Sequence, residues 1–303
     1  MRTLEVTIDG RPVLAREGQT IREACMAAGV EVPTLCFLEN LAPVSVCRVC
    51  VVELEGSRTL VPACSRPVEA GMVVHTDSPR VRTSRRMVLE LLASAVDLSA
   101  AEEAVGRWLK EFGADPGRYG PSQERPWTAQ PAGHHHPPET GRAATVAQPV
   151  KIDNELYVRD YSRCILCYKC VEACGVEAQH TFAIWVAGRG FDAHVSTEFD
   201  VPLPESACVY CGNCVGVCPT GALMFKSEYD MRQAGTWDPA RQTVTETICP
   251  YCGVGCTLAL HVQDNRIVKV TSPLDNQVGH GHLCVKGRFG FAFVQDFGDR
   301  ESS

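Results

Sequence analysis

Leu4, Val6 and Ile8 alternate with polar residues, and Asp9-Gly10 separates them from Pro12-Val13-Leu14. Alternation on both sides of an Asp-Gly pair predicts a β-hairpin with a two-residue turn. The period then changes: Ile21, Ala24, Cys25 and Ala28 recur at i, i+3, i+4 and i+7. That spacing predicts a helix, opened by the capping box Thr20-x-x-Glu23 and stopped at Gly29. On its apolar face Cys25 reads as a small buried residue. Ser78-Pro79 is a cap and first-turn pair, predicting a second helix whose apolar side holds Val81, Val88, Leu91, Leu92 and Ala95. Arg80, Arg82, Arg85 and Arg86 on it read as a solvated face. Ser99-x-x-Glu102 predicts a third helix, with Ala104, Val105, Trp108, Leu109 and Phe112 on one side and Gly113 at its end. Near the C-terminus Thr257 to Gln263 alternates, Asp264-Asn265 turns, and Arg266 to Thr271 returns.

Between Pro116 and Pro149 the pattern dissolves into seven prolines with little periodicity, so this stretch reads as a linker or meandering loop. His134-His135-His136 lie inside it. Three adjacent histidines cannot all reach one metal from a regular element, so they read as part of an exposed loop.

Composition narrows the function classes. Apolar residues make up 45% of the 303, enough for real cores, and a net charge of −7 argues against a nucleic-acid partner. MRTLEVTIDG has no apolar signal-peptide region, and no apolar run approaches the roughly 20 residues that a membrane span needs. Seventeen cysteines in C-x-x-C groupings without an export signal point away from a disulfide scaffold and toward a reducing, cytoplasmic setting.

Sixteen of those cysteines fall into four sets of four. Cys164, Cys167, Cys170 and Cys174, with Cys208, Cys211, Cys214, Cys218 and Pro219, form the bacterial two-cluster ferredoxin pattern. Three cysteines at i, i+3, i+6 wrap one cubane, and the fourth starts a helix that leads away to the other. One 4Fe–4S cluster is therefore assigned to Cys164, Cys167, Cys170 and Cys218, the other to Cys208, Cys211, Cys214 and Cys174. Gly175 replaces the usual proline after the first run. Cys36, Cys47, Cys50 and Cys64 suit a 2Fe–2S cluster. The alternative, a four-cysteine zinc site, usually pairs two C-x-x-C knuckles, whereas here one knuckle stands between two isolated cysteines. Cys249, Cys252, Cys256 and Cys284 enclose the C-terminal strands and make a third 4Fe–4S signature.

The first set resembles the N-terminal 2Fe–2S domain of the large iron–sulfur subunit of complex I and related NAD-linked dehydrogenases. Tyr157 to Cys167 and Gly188 to Ala222 resemble the alpha subunit of NAD-linked formate dehydrogenases. ICPYCGVGCTLALHV and LCVKGRFGFAFVQ resemble the first domain of molybdenum or tungsten bis-pterin formate dehydrogenases. The resemblance implies that Lys286, two residues after Cys284, lies between cluster and pterin and assists electron passage. Related chains also hold a cluster on one histidine and three cysteines after the first long helix. With no cysteine between Cys64 and Cys164, that cluster is expected to be absent.

The expected fold is α+β in four parts. They are a β-grasp 2Fe–2S domain (1–78), a helical pair and linker (79–150), a two-cluster 4Fe–4S domain (151–232) and a small β 4Fe–4S domain (242–303). Catalytic pterin domains are expected to be missing, and Gly253-x-Gly255 lacks the third glycine of a nucleotide loop, so no flavin, NAD or complete pterin site is expected. The expected function is electron relay between a Mo/W-pterin catalytic subunit or domain and a flavin/NAD-binding, diaphorase-type subunit. Alternatives are a truncated or split formate dehydrogenase alpha subunit and the small diaphorase subunit of an NAD-reducing hydrogenase.

Overall fold

A computed structural model describes residues 2–119, 150–189 and 193–295. The expected linker and its three histidines lie almost wholly outside the described residues. The chain divides into two compact units, the first built from residues up to 37 and from 43 onward through the helical pair, the second from 38–42 and the C-terminal half.

In the first unit β1 (Thr3–Ile8) and β2 (Arg11–Arg16) form the expected hairpin, with Asp9 and Gly10 both at positive φ, 47° and 78°. β3 (Val51–Leu54), β4 (Val61–Pro62) and β5 (Val73–His75) complete a sheet in the order β2-β1-β5-β3-β4. Its central pair, β1 and β5, is parallel and the flanking pairs are antiparallel. The Asp9 carboxylate accepts from the Thr76 amide and hydroxyl at 2.7 and 2.6 Å, which ties the hairpin turn to the end of β5. α1 (Ile21–Ala27) carries its full capping box and lays Ile21, Ala24 and Cys25 on the sheet beside Val6, Ile8, Val52 and Val74. Each fully buried aliphatic of this kind contributes about 1.5–3 kcal/mol. Cys25 is 0% exposed, and burial together with Asp9 pushes its thiol up to about 12.

α2 (Pro79–Ala95) starts at Ser78, whose hydroxyl accepts the Val81 amide at 3.3 Å. Its buried face differs from the one the sequence pattern predicts: Val81, Arg85, Leu89, Glu90, Ala93 and Ser94 are inside, while Leu91 is 49% exposed. Arg85 therefore leaves the solvated arginine face; it is 3% exposed and donates to the carbonyls of Val49 and Val51 at 3.1 and 3.0 Å. A charged residue can occupy a core stripe when backbone oxygens satisfy its fork. α3 (Glu103–Glu111) begins later than its sequence signal, at Glu102 without a side-chain cap, and buries Val105 and Trp108, with Phe112 at its end.

In the second unit β6 (Tyr157–Arg159) pairs antiparallel with β9 (Leu223–Phe225), bracketing two short helices, α4 (Lys169–Cys174) and α5 (Asn213–Gly216). β7 (Trp185–Ala187) and β8 (His194–Ser196) form a separate ribbon. Leu41 packs on Ala173 and Val217, which places its short segment in this unit. After α6 (Lys226–Gln233) come β10 (Thr243–Ile248), β11 (Thr257–Gln263) and β12 (Arg266–Thr271), an antiparallel sheet in that order, and then α7 (Val285–Phe289). β10 is an addition to the strands the sequence pattern predicts, although its β-branched Thr243, Val244, Thr245, Thr247 and Ile248 fit a pleated edge. Sheets and helices are mixed throughout, as the α+β class requires. No helix among the described residues is long and apolar enough to cross a membrane.

Candidate metal centres

The first set sits where β3 and β4 emerge from the loops beside them. Cys36, Cys50 and Cys64 are buried, at 1%, 1% and 0% exposure, and Cys47 is half-buried. The Cys50 and Cys64 sulfurs are 3.4 Å apart, and the Cys47 amide donates to the Cys36 sulfur at 3.5 Å. The loop makes this approach with Ser45 and Arg48 in the left-handed region, φ 59° and 58°. The Cys64 contact holds Cys50 below the ordinary thiol value, and the Cys36 contact and burial lift Cys47 far above it. Arg85, donating to the carbonyls on both sides of Cys50, braces the loop from behind.

The two ferredoxin-like runs are built alike. Leu166 and Tyr210 are both left-handed (φ 52° and 56°), as are Tyr168 and Gly212 (φ 67° and 68°). Each twist turns an amide inward: Leu166 donates to the Cys164 sulfur and Tyr210 to the Cys208 sulfur, both at 3.4 Å. Left-handed backbone costs a non-glycine residue about 1–2 kcal/mol, so a loop adopts it only where the inward shape is needed. Charge repulsion between thiols also reaches across the runs. Burial pushes Cys164 up to about 12 and lifts Cys167 and Cys170 further, and Cys218 of the second run adds charge repulsion to all three. Burial likewise raises Cys211 and Cys214, with Cys174 of the first run adding to both. Tyr157, 1% exposed, places its hydroxyl 3.2 Å from the Cys208 sulfur. Lys169, 4% exposed, lies beside Cys167 and acts to lower its pKa.

In the last set the Cys249 amide donates to the Cys256 carbonyl at 2.8 Å, closing the loop between β10 and β11. Burial raises Cys256, and Cys249, Cys252 and Cys284 add to the shift, so all four are near neighbours. Cys252 and Cys284 are exposed, and so is Lys286 in the first turn of α7.

These sites fit iron–sulfur clusters by their donor chemistry. Burial and neighbouring thiols together lift Cys164, Cys167, Cys170, Cys211, Cys214 and Cys256, so irons taking the place of their protons would relieve the repulsion. A single zinc ion holds its sulfurs at about 2.3 Å. Among the described residues no three His, Cys, Asp or Glu side chains are arranged to hold one metal ion. Spacing locates the thiols. It does not reveal Arg85 or Tyr157, which come to the cysteine sets through tertiary packing, whereas Lys169 stands inside the first run.

Comparison with known proteins agrees with the order of these sites. Residues 1–79 match a 2Fe-2S iron-sulfur cluster binding domain, 163–222 a 4Fe-4S dicluster domain, and 242–296 a molybdopterin oxidoreductase Fe4S4 domain. A subunit of the NADH-quinone oxidoreductase of Rhizobium meliloti (strain 1021) is 33% identical over 96% of this chain and 32% of its own length. A putative formate dehydrogenase of Staphylococcus haemolyticus is 26% identical over 96% of this chain and 31% of its own. The chain thus spans about a third of the length of the curated relatives it matches. A chain of an NAD+-reducing NiFe-hydrogenase, solved in the H2-reduced state, matches with TM-score 0.59 and 25% identity, over 74% of this chain and 87% of that one. The polypeptide is an iron–sulfur protein homologous to these oxidoreductase components.

Proposed function

We propose that this iron–sulfur chain relays single electrons through four clusters between a Mo/W-pterin catalytic subunit or domain and a flavin/NAD-binding, diaphorase-type partner, in the cytoplasm. The 2Fe–2S cluster, in a β-grasp domain, is held by Cys36, Cys47, Cys50 and Cys64. Two 4Fe–4S clusters are held by Cys164, Cys167, Cys170 and Cys218, and by Cys208, Cys211, Cys214 and Cys174. The third is held by Cys249, Cys252, Cys256 and Cys284. Bound clusters supply one-electron oxidation and reduction. The chain's own residues hold the thiolates, point amides and the Tyr157 hydroxyl at sulfur, and bury fixed charge beside them.

One observation carries this reading: three different iron–sulfur domain types follow one another in a chain homologous over nearly its whole length to NADH-linked and formate dehydrogenase-type relatives. By the same resemblance Lys286 passes electrons at the pterin end. Metal and acid-labile sulfide analysis of anaerobically purified protein tests the centres, with roughly 14 irons per chain expected from one two-iron and three four-iron clusters. Rapid-freeze reduction by NADH with a diaphorase subunit tests the direction of entry, the 2Fe–2S signal rising first. A colourless protein holding zinc would end the proposal.

A further inference from the structure

Arg288 follows Cys284 by one helical turn, and its amide donates to the Cys284 carbonyl at 3.1 Å. Its side chain leaves the last cysteine set and lies against the loop of another. It is 1% exposed; Nε donates to the Cys211 carbonyl at 3.0 Å, Nη2 to Asn213 Oδ1 at 3.0 Å and Nη1 to the Val270 carbonyl at 3.4 Å. The same Asn213 oxygen accepts the amide of Leu283, the neighbour of Cys284, at 2.9 Å. The loop is shaped to admit it: a Cβ on Gly212 would meet Arg288 Cδ at 2.4 Å, and one on Gly216 would meet Nη1 at 3.0 Å.

All its hydrogen-bond acceptors are neutral, and among the described residues it makes no ion pair with a carboxylate. Neutral acceptors satisfy its fork without neutralising its charge, and a buried charge of this kind is stabilised further by an anion close by. Among the described residues the groups whose charge, as thiolates, would act on it are Cys211, Cys214 and Cys284, which belong to two different cysteine sets.

We propose that Arg288 is a counter-charge shared by two clusters, on Cys208/Cys211/Cys214/Cys174 and on Cys249/Cys252/Cys256/Cys284, and that it raises the reduction potential of both. This rests on the assignment of those sets to 4Fe–4S clusters. Reduction adds one electron to a thiolate-ligated cluster, with no bond made or broken and no proton taken up. A fixed positive charge nearby favours the more negative, reduced form. Arg288 is thus a positioning and tuning residue, and its effect stops at the two sets it touches.

The test is a potentiometric titration of the full, cluster-loaded chain, with dithionite as reductant and cluster signals followed by electron paramagnetic resonance. In Arg288→Met the reduced-to-oxidised ratio of both clusters is expected to fall about tenfold at a fixed poise, about 59 mV for one electron. The 2Fe–2S and Cys164-set signals keep their ratios. Arg288→Lys, which keeps the charge but loses the fork, stays within about twofold of the parent. Unchanged ratios in Arg288→Met, an equal shift of the 2Fe–2S signal, or a shift in Arg288→Lys as large as in Arg288→Met would each overturn the proposal. Should Arg288→Met not retain its clusters, Arg288→Lys decides: normal loading and ratios support the shared charge, and failure to load overturns it. Absence of 4Fe–4S signals from the parent protein would instead sink the cluster assignment itself.

Discussion

The two ferredoxin-like runs share spacing, backbone twist and an inward amide, yet they live in different surroundings. In the first, Tyr168 occupies the left-handed position before α4 and bears its conformational cost. In the second, glycine occupies it, because Arg288 and Phe289 press on the loop and a Cβ would lie 2.4 and 2.7 Å from them. The first run buries Lys169 at the start of its helix; the second places neutral Asn213 there and receives Arg288 from α7 and the Tyr157 hydroxyl from β6. Geometry holds the cluster, and the neighbours set its electronics. Each site holds a buried cation, and the second, with the Tyr157 hydroxyl also at sulfur, is the one expected to take up an electron more readily.

The comparison breaks most completely at the fourth cysteine. Cys218→Ser is expected to remove the cluster of the Cys164 run, not that of its own, with the loss of roughly four irons per chain. Iron analysis with paramagnetic resonance checks this, and loss of the Cys208-run signal instead would mean the ligands do not cross. Next in size, Gly212→Ala should destabilise the protein by about 2–4 kcal/mol, combining left-handed strain with overpacking against Arg288. Tyr168→Ala, at the matching position, should change stability by less than about 1 kcal/mol, and urea unfolding of the two variants compares them directly. Lys169→Met sharpens the electronic contrast: the reduced fraction of the Cys164-set cluster should fall about tenfold at fixed poise, since a nearby charge commonly moves such an equilibrium by that much. The smallest effect is expected from Tyr157→Phe, about a threefold drop for the Cys208-set cluster alone, the size of one modest hydrogen bond.

What the sequence makes legible is local. Asp9-Gly10, Thr20-x-x-Glu23, Ser78-Pro79 and the cysteine spacings encode turns, caps and ligands within a few residues of one another, and the hairpin and both caps are found where their patterns place them. The buried side of α2 departs from its pattern because Arg85 and Glu90 carry charges that a hydrophobicity pattern assigns to solvent. The carbonyls of Val49 and Val51, 36 and 34 residues away, satisfy Arg85, and nothing in the local text announces them. Arg288 is hidden for the same reason, its acceptors Cys211 and Asn213 lying 77 and 75 residues back. β10, with every residue exposed, lacks the one-sided burial that marks a strand, and its pairing with β11 alone defines it. The linker histidines fall outside the described residues.

The proposed crossing of Cys174 and Cys218 between runs would also have a meaning for the birth of the molecule. When Cys170 leaves the ribosome, the thiol that faces its set is still unmade, nearly fifty residues downstream. At ordinary elongation rates of about 5–20 residues per second the three early thiols wait roughly 2–10 s for their fourth. Under that ligand assignment, iron offered during the interval would meet a half-built cradle, so metallation of either site belongs after translation of both runs.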